Sequence, residues 1–194
     1  MADFDVCVYY GKIPEGDVNF DVYPKERADE IMSVRNDRLK KEKYCAWKLL
    51  EYAITDLGMS FSELDFIKNE SGKWACDRCF FSISHTDGAV AVAVSKASVG
   101  VDIEKVSERA AKVAKKVFSE AELKGDCDDE NLFTTRLWTK KESIFKTQDM
   151  RVFSPQNIVI SDHETKTVDL CLNGEKYVIS VAGQNAKNAK FIEK

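Results

Sequence analysis

The chain has 194 residues, of which 44% are hydrophobic and 32% charged, a balance typical of a globular protein and too apolar for a disordered one. Its formal net charge of −4 argues against nucleic acid or an anionic membrane surface as the partner. No segment approaches the ~20 apolar residues of a membrane span, and the N-terminus has no basic, apolar signal sequence. We therefore expect a cytoplasmic chain whose six cysteines are reduced.

The first third of the chain predicts a strand, a long helix and a hairpin. Apolar residues alternate from Phe4 to Tyr10, which is typical of a strand. From Pro24 to Asp56 no further proline or glycine interrupts a helical apolar spacing, and Gly58 is suited to ending the helix. This helical region is rich in lysine and arginine, and Phe66–Trp74 predicts a hairpin.

The middle of the chain predicts a three-stranded meander. Phe80–Ser84 leads into a turn at His85–Gly88, Ala89–Val94 forms a nearly continuous apolar strand, and Val99–Glu104 forms the third strand. In a meander the first and third strands run in the same direction. We therefore expect His85 and the end of the third strand to lie at one edge of the sheet.

The last part of the chain predicts helices followed by strands. Ser107 caps a predicted helix that ends at Phe118, Ser119–Glu122 is a capping box for a short helix, and a longer helix covers Glu130–Thr147. The hairpin signal Asn173-Gly174 lies among alternating segments, and the polar tail from Gly183 is expected to be peripheral. The predicted strands here are Asn157–Ser161, Thr167–Leu172 and Lys176–Ala182.

Cys76 and Cys79 are the one closely spaced pair of cysteines in the sequence. A structural zinc site would need two further ligands, and His85 and His163 are the only histidines. A thioredoxin-type motif would open a helix, whereas this pair precedes an apolar strand. The sequence therefore favours neither zinc binding nor thioredoxin-type chemistry.

Two acidic residues share one face of the third meander strand. Asp102 and Glu104 point to the same side because side chains on a strand alternate. Neighbouring like charges are unfavourable unless water or a cation surrounds them. Mg²⁺ prefers carboxylate oxygens and suits such a pair, particularly when phosphate completes its shell. The alternative is an ordinary strand with a solvated outer face.

The helix after these strands carries a third carboxylate. Trp138, Glu142 and Lys146 recur every four residues, so they share one stripe of the helix. Alone, they would be read as a surface Glu–Lys pair beside a half-buried tryptophan. Together with Asp102, Glu104 and the Ser-His turn, they supply what metal-assisted phosphoryl transfer needs: oxygen ligands, a cation for phosphate charge and a base for a hydroxyl.

Three short motifs resemble those of the 4′-phosphopantetheinyl transferases in order and separation. They are Phe81-Ser82-Ile83-Ser84-His85, Gly100-Val101-Asp102-Ile103-Glu104-Lys105, and the pattern W-x-x-K-E-S-x-x-K from Trp138 to Lys146. The chain is similar in length to the monomeric surfactin-synthetase-activator type, not to the shorter trimeric holo-acyl-carrier-protein synthases. This resemblance implies an α+β fold of two similar α/β halves, a pseudo-dimer in which each half packs a small antiparallel sheet against a long helix. We expect the halves at residues 1–96 and 97–194.

The resemblance also implies a reaction. The 4′-phosphopantetheine arm of coenzyme A would pass to a serine hydroxyl of an acidic acyl or peptidyl carrier protein, with release of 3′,5′-ADP. Mg²⁺ would be held by Asp102, Glu104 and Glu142. Glu142 would help to deprotonate the serine, and Lys146 would offset charge on the pyrophosphate. The chain would act as a monomer.

The family's coenzyme A contacts map onto both predicted halves. Ser84 and His85 correspond to residues that contact the 3′-phosphate, and an earlier basic contact is either Arg27 or Lys25. Trp74 replaces the proline that follows the family's Gly-Lys pair. The implied coenzyme A contacts are Lys43, Lys73, Ser84, His85, Asp102 and Lys146.

A basic helix face follows the acidic strand. Arg109, Lys112 and Lys116 are predicted to share it, and they would dock an acidic carrier protein or simply be solvated.

Two other functions compete with the enzyme: a catalytically silent coenzyme A or nucleotide-binding module on the same fold, and a structural domain with surface carboxylates. The presence of all the motif's acidic and basic residues speaks against the silent module.

Overall fold

A computed structural model of the chain describes residues 5–13, 23–108, 112–113, 117–124, 128–148 and 151–194. The strands in these ranges are β1 (Val6–Lys12), β2 (Phe66–Lys68), β3 (Trp74–Cys76), β4 (Phe80–Thr86), β5 (Ala89–Ser95), β6 (Val99–Lys105), β7 (Thr165–Leu172), β8 (Glu175–Gly183) and β9 (Lys190–Glu193). The α-helices are α1 (Lys25–Met32), α2 (Asp37–Asp56), α3 (Glu120–Leu123) and α4 (Glu130–Thr147). No helix in the described ranges is both long and apolar enough to cross a membrane.

The α+β class is confirmed, and two sheets carry the fold. The first sheet has the order β4-β5-β1-β9, and the second has the order β6-β8-β7. Strand β1 pairs antiparallel with β5 and parallel with β9. The short β2–β3 ladder is the hairpin predicted over Phe66–Trp74. Helix α2 packs on β5 and β4, and α4 packs on β6 and β8.

Strand β5 shows how the layers are ordered. Its valines, such as Val92, pack into a core with Trp47 and Leu50 of α2. Its alanines pack into a second core that contains Val101 and Ile103 of β6. Because side chains alternate along a strand, the first sheet lies between α2 and the second sheet. Both faces of β5 are covered, which explains its continuous apolar run.

The predicted meander is wrong, because β6 leaves the first sheet and pairs with β8. It still lies beside β4. The Ser82 hydroxyl accepts a hydrogen bond from the Val101 amide at 3.0 Å, and the Ser84 hydroxyl accepts one from the Ile103 amide at 3.3 Å. Serine side chains thus replace the backbone carbonyls of a ladder, and the end of β4 meets the acidic strand across the two sheets.

Several predicted elements are confirmed with little change. Helix α4 covers Glu130–Thr147, and the Asp129 side chain caps its start by accepting from the Leu132 amide at 3.1 Å. The capping box at Ser119 is present. The turn between β7 and β8 has positive φ at Asn173 and Gly174, 55° and 78°, as a two-residue hairpin requires.

Other predictions are wrong for local reasons. The single helix from Pro24 to Asp56 is two helices, because the Asn36 side chain caps α2 by accepting from the Leu39 amide at 2.9 Å. The predicted strand Asn157–Ser161 is replaced by two short 3₁₀ helices, Pro155–Asn157 and Ile160–Asp162. The apolar residues of this segment pack by their side chains instead of forming a strand ladder: Ile158 is buried against Ile144 and Ala182.

The prediction that the C-terminal tail is peripheral is wrong. Its residues 190–193 form β9 on the edge of the first sheet, and Ala186 and Ala189 are buried in the core between the sheets. Phe4 of the predicted first strand lies outside the described residues, as do Arg109, Lys116 and much of the predicted helix Ser107–Phe118.

Candidate active site

Three carboxylates from two elements meet where β6 and α4 touch. Asp102 and Glu104 come from β6 and Glu142 from α4, and one oxygen of each lies within 4.8 Å of the others. Gly100 permits this approach, because a Cβ atom there would lie 2.0 Å from the Ser143 carbonyl oxygen of α4. Asp102 is only 2% exposed, so the strand's acidic face is not simply solvated.

Each carboxylate is held by a donor from a neighbouring residue. Asp102 Oδ1 accepts from the Ser84 hydroxyl and the Lys146 ammonium, both at 2.8 Å. Glu104 Oε2 accepts from the Thr86 hydroxyl at 3.0 Å. Trp138 Nε1 donates to Glu142 Oε2 at 3.0 Å, one turn along α4. The sequence motifs did not point to Thr86.

This donor set fits a magnesium ion. All three groups are carboxylates, the ligands that hard cations prefer. Asp102 Oδ2 is buried and accepts no hydrogen bond within the described residues. Burial and then the negative charge of Asp102 raise the pKa of Glu142 to about 7, while Lys146 opposes the shift. A divalent cation would relieve this like-charge repulsion and satisfy the orphaned oxygen.

Lys146 links the carboxylates to β4. Its ammonium donates to Asp102 Oδ1 and, at 3.1 Å, to the Ser84 hydroxyl, and its side chain is 22% exposed. Burial alone would lower the pKa of Lys146, but the Asp102 and Glu142 carboxylates outweigh burial and raise it. The side chain therefore stays a fixed positive charge beside the acidic cluster.

Positive charge also gathers around His85 at the end of β4. Burial, followed by the charges of Lys146, Lys43 and Arg27, lowers the pKa of His85 to about 4, while Asp102 opposes the shift. These cations come from α4, α2 and α1. Of the two alternatives for the earlier basic contact, Arg27 is buried and its charge acts on His85, whereas Lys25 is exposed. Such a cluster suits an anion with more than one charge.

Glu30 of α1 organises part of this cationic cluster. Its carboxylate lies 3.1 Å from an Arg27 guanidinium nitrogen and 3.0 Å from Lys68 Nζ, and it accepts from Trp74 Nε1 at 3.1 Å. Lys43 Nζ is 4.0 Å from it. No sequence motif pointed to Glu30, although the i,i+3 spacing from Arg27 was a helical ion-pair signal.

The remaining sequence-predicted residues lie apart from this cluster or outside the described residues. Lys73 donates to the Gln148 carbonyl and lies 5.3 Å from the Phe145 ring centre, at the end of α4. Lys112 is exposed and 3.5 Å from Glu108. Arg109 and Lys116 are not among the described residues.

Ligands for a divalent cation beside a cluster of fixed positive charges define a candidate site for metal-assisted chemistry on a phosphorylated substrate. Residues 98–191 match the family model of the 4′-phosphopantetheinyl transferase superfamily. A 4′-phosphopantetheinyl transferase gsp from Aneurinibacillus migulanus is 36% identical over 124 residues, covering 61% of this chain and 52% of the relative. The chain thus spans about half the length of that relative. The resemblance predicted from the motifs is confirmed.

Proposed function

We propose that the chain is a Mg²⁺-dependent 4′-phosphopantetheinyl transferase that modifies a serine of a carrier protein and releases 3′,5′-ADP. The observation that carries this proposal is the meeting of the three-carboxylate cluster with Lys146 and the cations around His85. Coenzyme A has a pyrophosphate and a 3′-phosphate, so it carries negative charge at two places. The site offers the three carboxylates that could hold a metal (the metal pole) and the positive side chains around His85 (the cationic pole), and these match the two charged groups.

Coenzyme A would bind with its 3′-phosphate at Ser84 and His85. Arg27 and Lys43 would add positive charge there, because the charges of both side chains lower the pKa of His85. Lys146 would face the pyrophosphate from its position beside Asp102, and Lys73 would contact coenzyme A near the end of α4. Coenzyme A would lie between the predicted halves, residues 1–96 and 97–194.

Asp102, Glu104 and Glu142 would hold Mg²⁺, which when bound supplies a Lewis acid for the pyrophosphate oxygens. The carrier serine attacks the phosphorus next to the pantetheine arm, and the bond from that phosphorus to the 3′,5′-ADP oxygen breaks. Glu142 takes the serine proton, directly or through water, and Trp138 holds its carboxylate in place. Lys146 offsets the negative charge that develops on the leaving pyrophosphate oxygen.

The carrier protein would be acidic and would dock on the basic face of Arg109, Lys112 and Lys116. Lys112 is exposed, 3.5 Å from Glu108. Changing Lys112→Glu and Lys116→Glu together should raise the KM for the carrier and leave the KM for coenzyme A unchanged. Unaltered carrier kinetics would remove this face from the proposal.

We further propose a cytoplasmic monomer. This follows the expectation from the sequence, whose scattered cysteines are typical of reduced thiols in a chain of this length.

Intact-mass spectrometry of apo-carrier proteins tests the activity. With coenzyme A and Mg²⁺, the parent chain should add one phosphopantetheine to at least one carrier of a fatty-acid, polyketide or peptide type. Glu142→Gln should abolish the addition, whereas Glu51→Gln, on α2 and paired with Lys48, should retain it. Coenzyme A binding without transfer to any carrier would favour the silent binding module.

A further inference from the structure

A buried carboxylate contacts His85 from another element. Glu42 lies on α2 and is 5% exposed, and its Oε2 is 3.2 Å from His85 Nδ1 at the end of β4. Glu42 does not belong to the three-carboxylate cluster, and the reaction steps above do not use it. Burial raises the pKa of Glu42, which shows that its charged form is costly in this place. A role in ligand binding would explain why a carboxylate occupies this buried position.

The surroundings of Glu42 fix its position relative to His85. Arg38 Nε lies 3.4 Å from Glu42 Oε1, and the same guanidinium donates to Asp87 Oδ1 at 3.0 Å in the turn after His85. Glu42 Oε1 is nevertheless a buried oxygen that accepts no hydrogen bond within the described residues, and the Arg38–Asp87 pair is exposed. The packing of α2 on β4, more than this surface ion pair, therefore holds the Glu42 carboxylate beside His85.

The contact determines what the imidazole can offer to a ligand. Because Nδ1 faces Glu42 at 3.2 Å, the ring's other nitrogen, Nε2, is directed away from Glu42. Without a ligand, burial and the surrounding cations lower the pKa of His85, so the ring is neutral. A phosphate beside Nε2 would favour the protonated ring, which can donate to both Glu42 and the phosphate because an imidazolium has two N–H groups on opposite sides.

We propose that Glu42 is a positioning residue that orients His85 toward the 3′-phosphate of coenzyme A and thereby selects 3′-phosphorylated donors over donors with a free 3′-hydroxyl. The inference rests on the proposed function for the identity of the ligand. Lys43 and Arg27 attract any anion through charge alone. The Glu42–His85 pair adds direction, and direction distinguishes a phosphate at one position from negative charge in general.

Calorimetric binding of coenzyme A and of 3′-dephospho-coenzyme A, each with Mg²⁺, tests the proposal. The parent chain should prefer coenzyme A. Glu42→Gln should weaken coenzyme A binding about tenfold, the loss expected for one charge-assisted hydrogen bond. It should leave the affinity for the dephospho compound unchanged. The matched control Glu51→Gln, on the same helix, should alter neither affinity. Equal weakening of both ligands by Glu42→Gln, or of neither, would overturn the proposal.

A double-mutant cycle separates positioning from a loss of fold. Because Glu42 is proposed to act through His85, Glu42→Gln should cause no further loss of coenzyme A affinity in the His85→Ala background. Additive losses would contradict the proposal. Glu42→Asp withdraws the carboxylate by one methylene and should give an intermediate selectivity, so the cycle stays informative if the glutamine variant folds poorly.

The two proposals fail in different ways. A parent chain that prefers coenzyme A over its dephospho form but modifies no carrier would refute the transferase activity and leave the role of Glu42 intact. A parent chain that transfers phosphopantetheine, with Glu42→Gln equally selective, would refute the role of Glu42 alone.

Discussion

At the scale of single residues, Ser84 is the point where the two sheets and the charged cluster meet. Its hydroxyl donates to Asp102 Oδ1, receives hydrogen bonds from Lys146 and accepts from the Ile103 amide. Ser82, two positions earlier on β4, accepts only from the Val101 amide among these partners. The two serines therefore share a structural role, and only Ser84 also touches the charged groups.

Ser84→Ala and Ser82→Ala should separate these roles. Each removes an acceptor for a buried β6 amide, so each should lower the free energy of unfolding by about 1–3 kcal/mol in urea titrations. Ser84→Ala should in addition lower kcat/KM for coenzyme A at least tenfold, because Asp102 and Lys146 lose a shared partner. Equal kinetic effects of the two variants would show that Ser84 acts through stability alone.

The tryptophans beside the two poles of the site should have different kinetic effects. Trp138→Phe keeps a ring against Phe153, whose centre is 5.4 Å away, but removes the donor to Glu142. We expect kcat to fall several-fold with the KM for coenzyme A unchanged. Trp74→Phe removes the donor to Glu30 and should instead raise the KM for coenzyme A. Steady-state kinetics of both variants check this. A raised KM in Trp138→Phe together with a lowered kcat in Trp74→Phe would contradict the placement of these tryptophans beside the metal pole and the cationic pole.

The sequence predicted the residues whose signal is local. Asp102 and Glu104 alternate on one strand, and Glu142 and Lys146 recur on one helix, so short patterns were enough to select them. Glu30, Glu42 and Thr86 were missed. Trp74 and Glu30 are 44 positions apart, and Thr86 and Glu104 are 18 apart, so these contacts exist only after the sheets have packed.

At the scale of elements, the packing of α4 on β6 determines the geometry of the site. A Cβ atom at Gly100 would lie 2.0 Å from the Ser143 carbonyl oxygen and 2.9 Å from Lys146 Cβ. The helix rests directly on the strand at this point. Glu142 and Lys146 both follow the position of α4, so any displacement of the helix moves a carboxylate and a lysine together.

Gly100→Ala should therefore disturb function more than its size suggests. Overpacking of this kind costs about 1–3 kcal/mol of unfolding free energy, and the displaced helix should reduce kcat by an order of magnitude or more. Gly58→Ala is a matched control: its φ of +76° disfavours alanine, but no atom lies within 4 Å of the new Cβ. Chemical denaturation should show destabilisation in both variants, and loss of activity in Gly100→Ala alone.

Elements with their own boundary signals were the ones that the sequence predicted well. Helix α4 has an N-cap at Asp129, and the β7–β8 turn has Asn173-Gly174. The segment around Ile158 shows the limit, because its alternating pattern resembles a strand while Ile158 is simply buried against Ile144 and Ala182 beside short 3₁₀ turns. The placement of β6 in a second sheet was equally hidden, since strand pairing depends on partners distant in sequence.

At the scale of the whole molecule, the chain returns at its end to the sheet with which it begins. Strand β9 pairs in parallel with β1, and its two apolar side chains pack against different hydrophobic cores. Phe191 packs against the core between the sheets, and Ile192 packs against the core under α2. The C-terminal residues therefore connect both cores, and we expect the described structure to unfold as one cooperative unit.

Phe191→Ala combined with Ile192→Ala should weaken both cores at once. Both side chains are partly buried, so the loss of unfolding free energy should be about 2–5 kcal/mol. Tryptophan fluorescence can follow the unfolding of each region separately. Trp47 and Trp74 lie in the core under α2, and Trp138 lies on α4. Single-tryptophan variants, with phenylalanine at the other positions, should give coincident urea transitions that shift together when β9 is altered.

The flanking residues of β9 provide the control for this prediction. Lys190 and Glu193 are exposed, so replacing both with alanine should leave the transition midpoints nearly unchanged. Separate midpoints for Trp47 and Trp138 would show that the two cores unfold independently, and β9 would then be an edge strand of the first sheet alone. Coincident midpoints would mean that the candidate site depends on the last residues of the chain, because its residues come from β4 in the first sheet and from β6 and α4 on the second sheet.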